Sequence, residues 1–221
     1  MPLRDKPYFL SMLTLVVANV AFLVLFLVYD LTLFQVAAVY WWECLWIGLF
    51  SALKLVVASI IADPFENRWV HVTPGGRVLA SIVAIFFVSA EFLGIFFVLG
   101  MVITFVFHGL TGIDQGELML SALGPVLGSS VLFLIGHGVS FVVNFLIGGE
   151  FRNAKAVTLL ALPFKRCIAL IAAIVVAFTA AWLLPGFANT TGFVILLIAL
   201  KLSWDYVLHL RERRAFAPAA D

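Results

Sequence analysis

Long apolar runs, separated by short polar connections, dominate the sequence. Each of six runs is long enough to cross the roughly 30 Å hydrocarbon layer of a membrane as an α-helix. The six predicted spans are about Tyr8–Tyr29, Phe34–Ile61, Val78–Phe107, Leu118–Ile147, Arg166–Leu184 and Thr191–Leu210. The pattern therefore predicts an all-α, polytopic transmembrane helix bundle that forms a single integral membrane domain over residues 1–221.

Composition agrees with this assignment and excludes other classes. Of the 221 residues, 64% are hydrophobic and 11% are charged, and the mean hydropathy is +1.18. A soluble domain carries about twice that charged fraction. The formal net charge of +1 gives no basic surface for a nucleic acid. The expected partner is the lipid bilayer, and lateral partners are another membrane protein or a second copy of the chain.

The basic residues of the connections alternate between the two sides of the predicted bundle. The terminal segments and every second connection carry Arg4, Lys6, Arg68, Arg77, Arg152, Lys155, Lys165, Arg166, Arg211, Arg213 and Arg214. The other three connections contain no Lys or Arg. Because Lys and Arg are retained on the cytoplasmic side, both termini are expected in the cytoplasm.

Ionisable residues inside the spans are the candidates for function, because a charge in hydrocarbon is costly. Glu91 lies deep in span 3 and is alone on that helix. A carboxylate at mid-bilayer costs on the order of 3 kcal/mol for insertion, which the apolar residues of the span outweigh. Glu91 is therefore expected to face protein or water, and it is the first choice for a functional residue.

Polar residues recur at helical spacing on two other spans. One stripe, on span 4, consists of Ser130, His137 and Asn144, and another, on span 6, consists of Lys201, Asp205 and His209. Span 2 adds Glu43 and Lys54 on nearly the same helix face. The depths of these groups predict that Lys54, Glu91, His137, Lys201 and Asp205 meet in one layer of the cytoplasmic half, where their formal charges cancel with His137 neutral.

Each of these groups also has a structural explanation. Lys54 can extend to the cytoplasmic headgroups, and Glu43 can be hydrated beside the outer aromatic residues. Lys201 and Asp205 can form only a local ion pair, and the polar groups of span 4, His137 among them, can hydrogen-bond helices together.

Three further features bear on packing. Gly124 and Gly128 form a GxxxG spacing, which predicts that span 4 packs closely at the centre of the bundle. Cys44 and Cys167 are expected to be free thiols towards opposite membrane faces. The segment Glu150–Lys165 is either a short amphipathic helix on the inner surface or a loop with one helical turn.

The sequence lacks the motifs that carry common enzymatic chemistry. It contains no GxSxG, Walker A, HExxH or GxGxxG pattern, and a single deep histidine does not suit bis-histidine haem. His108, Asp114 and Glu117 of the outer loop form only a weak metal-binding pattern. We therefore expect no cofactor and no metal, and an enzymatic role is disfavoured.

Several separate segments resemble a family of uncharacterised bacterial and archaeal membrane proteins, known as a domain of unknown function. They comprise Tyr40–Glu43 with Gly48 and Lys54, Gly136–Asn144 with Gly148–Glu150, Pro163 with Arg166, and Lys201, Asp205 and His209. The sequence departs from that family at Cys44, where an asparagine is usual, and in span 3, which has Glu91 in place of histidines. The resemblance implies an intact multi-span unit in a prokaryotic cytoplasmic membrane, without implying an activity.

Three functions are compatible with these features. The short loops and missing motifs favour a non-catalytic accessory or assembly subunit of a membrane complex. The polar layer suits a small proton- or ion-coupled transporter. The least favoured function is an intramembrane lipid-modifying enzyme that uses Glu91 or His137 as acid or base.

Overall fold

The computed structural model describes residues 6–62, 64, 73–183 and 190–216. The helices are α1 Lys6–Tyr29, α2 Leu33–Ile61, α3 Pro74–Thr111, α4 Gln115–Ser140, α5 Ala156–Leu183 and α6 Thr190–Phe216. A π-helical turn, Phe141–Ile147, continues α4, and a short 3₁₀ turn, Glu150–Arg152, follows it. The described residues contain six helices that are long and apolar enough to cross a membrane, which confirms the predicted α-helical bundle.

Local sequence signals set several of the helix ends. Thr32 and Gln35 form a reciprocal capping box at the start of α2. Thr73 caps α3, which begins with Pro74, a residue suited to the first helical position because it lacks an N–H group. Gly112 ends α3 with a φ of 71°, a left-handed conformation that glycine adopts without steric cost. Asp114 then caps α4, so α3 and α4 are joined by a tight turn.

The central helix of the bundle is α2, which packs against α3, α4 and α5. Gly48 and Gly100 allow the close approach of α2 and α3. A Cβ at Gly48 would lie 3.0 Å from the Phe92 ring, and one at Gly100 would overlap the indole of Trp41. The Trp41 ring stacks on Phe96 with centroids 4.5 Å apart. The prediction that span 4 is central is thus wrong, because this close approach belongs to α2.

The GxxxG pair of α4 does not pack against another helix of the described chain. Gly124 and Gly128 are exposed, and nothing lies within 4 Å of a Cβ added at either position. The buried face of α4 is formed instead by larger residues such as Ala122, Val126 and Phe133. Gly124 and Gly128 therefore point away from the rest of the described bundle, contrary to the prediction.

Helix α5 begins about ten residues earlier than predicted and runs through Pro163. Its first turns bury Leu159 and Leu162 against α2 and the π-helical turn, in a cluster that includes Leu55 and Phe145. The apolar residues at the start of α5 are thus buried inside the protein and do not lie on the membrane surface. Both the separate surface helix and the one-turn loop are therefore wrong.

The earlier start of α5 also changes the position of the cysteines. Cys44 and Cys167 are buried free thiols, as predicted. They lie in the same buried cluster, because Cys167 is about 17 Å along α5 from its first residue and so reaches the depth of Cys44. The prediction that they lie towards opposite membrane faces is wrong.

Candidate functional site

A buried lysine lies at the centre of a cluster of charged side chains. Lys201 of α6 is 7% exposed. Its Nζ atom lies 2.8 Å from Oδ2 of Asp205, one turn further along α6. The same atom lies 3.0 Å from Oε2 and 3.2 Å from Oε1 of Glu43 on α2. One cation therefore bridges two carboxylates and holds α2 against α6.

Glu43 also connects this cation to α4. Its Oε1 atom lies 3.3 Å from Nε2 of His137, and the residue is only 2% exposed. Its Oε2 atom has the ion-pair contact with Lys201 but no well-aligned hydrogen bond within the described residues. The ammonium occupies this oxygen on one side, and a carboxylate oxygen has a further lone pair that can accept from water.

A second cation faces the second carboxylate. Nη1 of Arg166 on α5 lies 4.0 Å from Oδ1 of Asp205. With His137 neutral, the two cations Lys201 and Arg166 balance the two carboxylates. This balance matters because one unpaired charge in a buried site costs about 3–5 kcal/mol. We call Glu43, His137, Arg166, Lys201 and Asp205 the ionic cluster.

Aromatic rings form the wall around the ammonium group of Lys201. Its Nζ atom lies 4.9 Å from the ring centroid of Tyr40 and 5.7 Å from that of Phe133. Tyr40 precedes Glu43 by three residues, so both side chains leave the same face of α2. The Tyr40 hydroxyl donates to Oδ1 of Asn19 at 3.4 Å, which ties α1 to the site. The rings exclude water and add cation–π attraction.

Two small cavities border the ionic cluster. One has a volume of about 30 Å³ and is lined by residues that include Asn19, Glu43, His137, Ser140, Arg166 and Asp205. The other, of about 20 Å³, shares Glu43, Arg166 and Asp205 with the first. Each has room for one or two water molecules, and neither has room for an organic solute. The chemistry that this interior accommodates is that of water and protons.

The larger openings are apolar and lie elsewhere. A groove of about 610 Å³ is lined by α3 and the first turns of α4, including Met101, Phe105 and Met119. A second, of about 320 Å³, lies among α2, α3 and α5. Neither contains a member of the ionic cluster.

The structure brings together four of the residues singled out from the sequence. Glu43, His137, Lys201 and Asp205 contact one another as described above. The alternative of a hydrated Glu43 is wrong, because aromatic side chains and α6 cover it. The alternative in which Lys201 and Asp205 form only a local pair is also wrong, because Lys201 additionally binds Glu43.

Glu91 does not join these residues. Its side chain is exposed on the outer surface of α3, so the expectation that it packs within the polar layer is wrong. The buried face of α3 is formed by Phe92, Phe96, Leu99 and Ile103. Glu91 lies about 100° around the helix from Phe92, which turns it away from α2. In the ionic cluster, the carboxylate that contacts His137 and Lys201 is that of Glu43.

Lys54 and Asn144 lie in a separate region, further along α2 and beyond α4. Lys54 is 9% exposed, and its Nζ atom lies 5.6 Å from the centroid of the Phe145 ring. Asn144 is buried in the π-helical turn, where its Nδ2 atom donates to Ser140 Oγ at 3.5 Å. The wider turn displaces Asn144 from the α-helical stripe that the spacing predicts. His209 lies in α6, but its side chain is outside the described part of the structure.

The outer-loop residues cap helices. Asp114 accepts hydrogen bonds from the backbone N–H groups of Gly116 and Glu117, and Nδ1 of His108 lies 2.7 Å from the carbonyl oxygen of Ile113. Within the described residues no group of three or more His, Cys, Asp or Glu side chains is placed to hold a metal ion.

Two residues of the site, Arg166 and Tyr40, are not predicted as candidates from the sequence. Arg166 stands at the start of predicted span 5 and among the basic residues of the connection before it, so it is expected at the cytoplasmic surface. Tyr40 enters the sequence analysis only as part of the Tyr40–Glu43 segment that resembles the uncharacterised family. The three-residue spacing of Tyr40 and Glu43 was the available signal that the two side chains share a face.

Comparison with known proteins places the chain in a family. All of residues 1–221 match a family described as a family of unknown function (DUF6498), and the chain belongs to that family. This confirms the resemblance to an uncharacterised family. No curated protein matches the chain, and no solved structure matches it.

Proposed function

For this member of a family of unknown function, we propose a small proton-coupled membrane transporter in which Glu43 and His137 bind the proton. The observation that carries the proposal is the contact between a buried carboxylate and a histidine at a water-sized cavity. Ionisable groups inside a membrane bundle mark ion and proton pathways by default.

The energetics of the ionic cluster support a functional role. A buried ion pair is often no more stabilising than well-packed apolar residues of the same volume. Here four charged side chains from α2, α5 and α6 lie in the interior of the bundle. If these side chains served only to stabilise the bundle, Leu and Phe at the same positions would stabilise it as much.

The position of His137 beside Glu43 supports it as a proton-binding group of the cluster. With His137 neutral, the two cations and two carboxylates already cancel, so a proton that enters the cluster is an added charge. His137 lies 3.3 Å from the Glu43 carboxylate, which would face that added charge. Histidine serves proteins as an acid, a base and a proton shuttle. The His137 side chain is 14% exposed, against 2% for Glu43, so it is the member closer to water.

The size of the two cavities limits which molecules can reach the ionic cluster. The interior spaces at the cluster admit water but no larger solute, so the cluster suits the coupling proton and not the substrate. The distribution of Lys and Arg supports residence in the cytoplasmic membrane with both termini on the cytoplasmic side.

Proton flux through proteoliposomes tests this proposal. Vesicles that contain the protein and an internal pH-sensitive dye are subjected to an imposed membrane potential, with and without a panel of solutes. Glu43→Gln and His137→Ala should reduce proton movement to about the level of empty vesicles. Ser130→Ala is the matched control, because Ser130 is buried on α4 and donates only to Val126 O in its own helix. Unchanged flux in folded Glu43→Gln and His137→Ala proteins would refute the proposal.

A second function, that of an accessory subunit, is favoured by a different observation. The outward faces of α3 and α4 carry Glu91 and the Gly124–Gly128 pair, which have no packing partner within the described chain. Co-purification from native membranes tests it, since a partner at fixed stoichiometry is then expected.

A further inference from the structure

The outward face of α3 contains a carboxyl group in the middle of an apolar surface. Glu91 is exposed at about the midpoint of the 38-residue helix. Around it, Ile95, Val98 and Val102 are 44%, 61% and 52% exposed. This surface is one that lipid would cover if the chain were alone in the membrane.

Among the described residues of this surface, none is a hydrogen-bonding partner of Glu91. Within the described part of the chain it makes no hydrogen bond and no ion pair. A carboxyl group in hydrocarbon costs several kcal/mol unless a hydrogen bond compensates for the water that it has lost. The residue therefore needs a partner that the described part of the chain does not supply.

Small residues beside Glu91 leave room for another helix. Ala90 and Gly94 are exposed, and nothing lies within 4 Å of a Cβ added at Gly94. Gly94 points almost directly away from the buried face of α3, since it lies about 160–180° around the helix from Phe96 and Ile103. In membranes, two small residues four positions apart allow helix backbones to approach closely.

From these observations we propose that two copies of the chain associate through α3, with Glu91 of one copy hydrogen-bonded to Glu91 of the other. Copies inserted in the same orientation are related by a twofold axis along the membrane normal, so their Glu91 residues lie at the same depth. Two neighbouring carboxyl groups do not both ionise, because the two negative charges would repel each other. The group that keeps its proton donates a hydrogen bond to the other.

An identical copy offers no alternative partner at this depth within the described residues. Its membrane-embedded cations, Lys54, Arg166 and Lys201, contact residues of their own chain. The competing outward face, around Gly124 and Gly128 on α4, has small residues but no polar group that requires a partner. The carboxyl group thus selects α3 over α4. This inference is independent of the proton-transport proposal.

Disulfide crosslinking in native membranes tests the interface. Val98→Cys places a thiol one turn from Gly94 on the proposed face, and Leu127→Cys places one on the competing α4 face, where Leu127 is 63% exposed. The native thiols Cys44 and Cys167 are buried, so the unmodified chain is the background control. Oxidation should convert Val98→Cys to a dimer and leave Leu127→Cys and the unmodified chain monomeric.

Second-site variants then identify the bond. In the Val98→Cys background, Glu91→Leu should reduce the crosslinked fraction about threefold, as the average loss of one interhelical hydrogen bond in a membrane implies. Glu91→Gln should retain it, because an amide also donates and accepts. Crosslinking through Leu127→Cys alone, or through neither position, would overturn the proposal. So would loss of crosslinking in Glu91→Gln equal to that in Glu91→Leu, which would indicate a cationic partner.

Discussion

The chain has two glutamates well inside its apolar helices, and their surroundings are opposite. Glu43 on α2 is 2% exposed and contacts Lys201 and His137. Glu91 on α3 is exposed and has no such contact within the described residues. Both residues are surrounded along their own helices by aromatic and aliphatic side chains, so the difference arises only from the direction in which each side chain leaves its helix.

The position of each helix in the bundle explains this contrast. Helix α2 is central and packs on three neighbours, so nearly every direction from it leads to protein. Helix α3 lies at the periphery and packs mainly on α2. A carboxyl group on α2 is therefore balanced within the chain, whereas one on α3 is left for a partner. The first arrangement suits internal proton chemistry, and the second suits association.

The largest effect should come from removing the cation of the ionic cluster. Lys201→Met leaves Glu43 and Asp205 facing each other without their shared cation, and the free energy of unfolding should fall by about 3–5 kcal/mol. Unfolding in mixed micelles measures it. Lys155→Met, at an exposed position, is the matched control and should change stability by less than about 0.5 kcal/mol.

A double variant sharpens that test. Lys201→Met combined with Glu43→Gln removes one charge of each sign, so it should be less destabilised than Lys201→Met alone. Additive losses from the two substitutions would contradict the assigned ion pair.

The next largest loss of stability is expected at Gly100, on the face of α3 that packs against α2. Gly100→Ala adds a Cβ that overlaps the Trp41 indole, whose Nε1 atom donates to Phe96 O at 2.8 Å. The ring is held by that bond and by its stack on Phe96, so overpacking should cost about 1–3 kcal/mol. Gly109→Ala, where nothing lies within 4 Å, is the control and should be neutral or slightly stabilising. Equal thermal stability of the two variants would contradict the packing of α2 on α3.

His137 should separate stability from function. His137→Ala removes one interhelical contact of 3.3 Å, so the loss in unfolding free energy should be about 0.6 kcal/mol and at most about 2. Proton flux should nevertheless be abolished, as argued above. A variant as unstable as Lys201→Met would instead show that His137 serves the fold.

The extent to which sequence predicts this molecule follows from the same contrast. Span number and most boundaries depend on apolar length and on caps such as Thr32 and Asp114, which are local signals. Depth along a helix is likewise local, so residues of similar depth, such as His137 and Lys201, can be grouped from the sequence, although the same reasoning also grouped Glu91 and Lys54 with them. Which direction faces protein depends on how α2, α3 and α5 pack together. The choice between Glu43 and Glu91, and the role of Arg166, could not be made from the sequence for that reason.

The smallest effect is expected at Glu91 in the isolated chain. Glu91→Leu replaces an exposed side chain that contacts nothing within the described residues, so the unfolding free energy of the monomer should change by less than about 0.5 kcal/mol. The measurement is made in dilute detergent, at a protein concentration where the chain is monomeric. Glu43→Leu, measured alongside, should lose several kcal/mol because it strands Lys201. A large loss from Glu91→Leu in the monomer would place Glu91 in the interior after all, and would remove the basis for an α3 interface. A small loss in the Glu91→Leu monomer, together with loss of crosslinking in the Val98→Cys background, would mean that both glutamates need a partner. Glu43 then finds it within its own chain, and Glu91 finds it in the second copy.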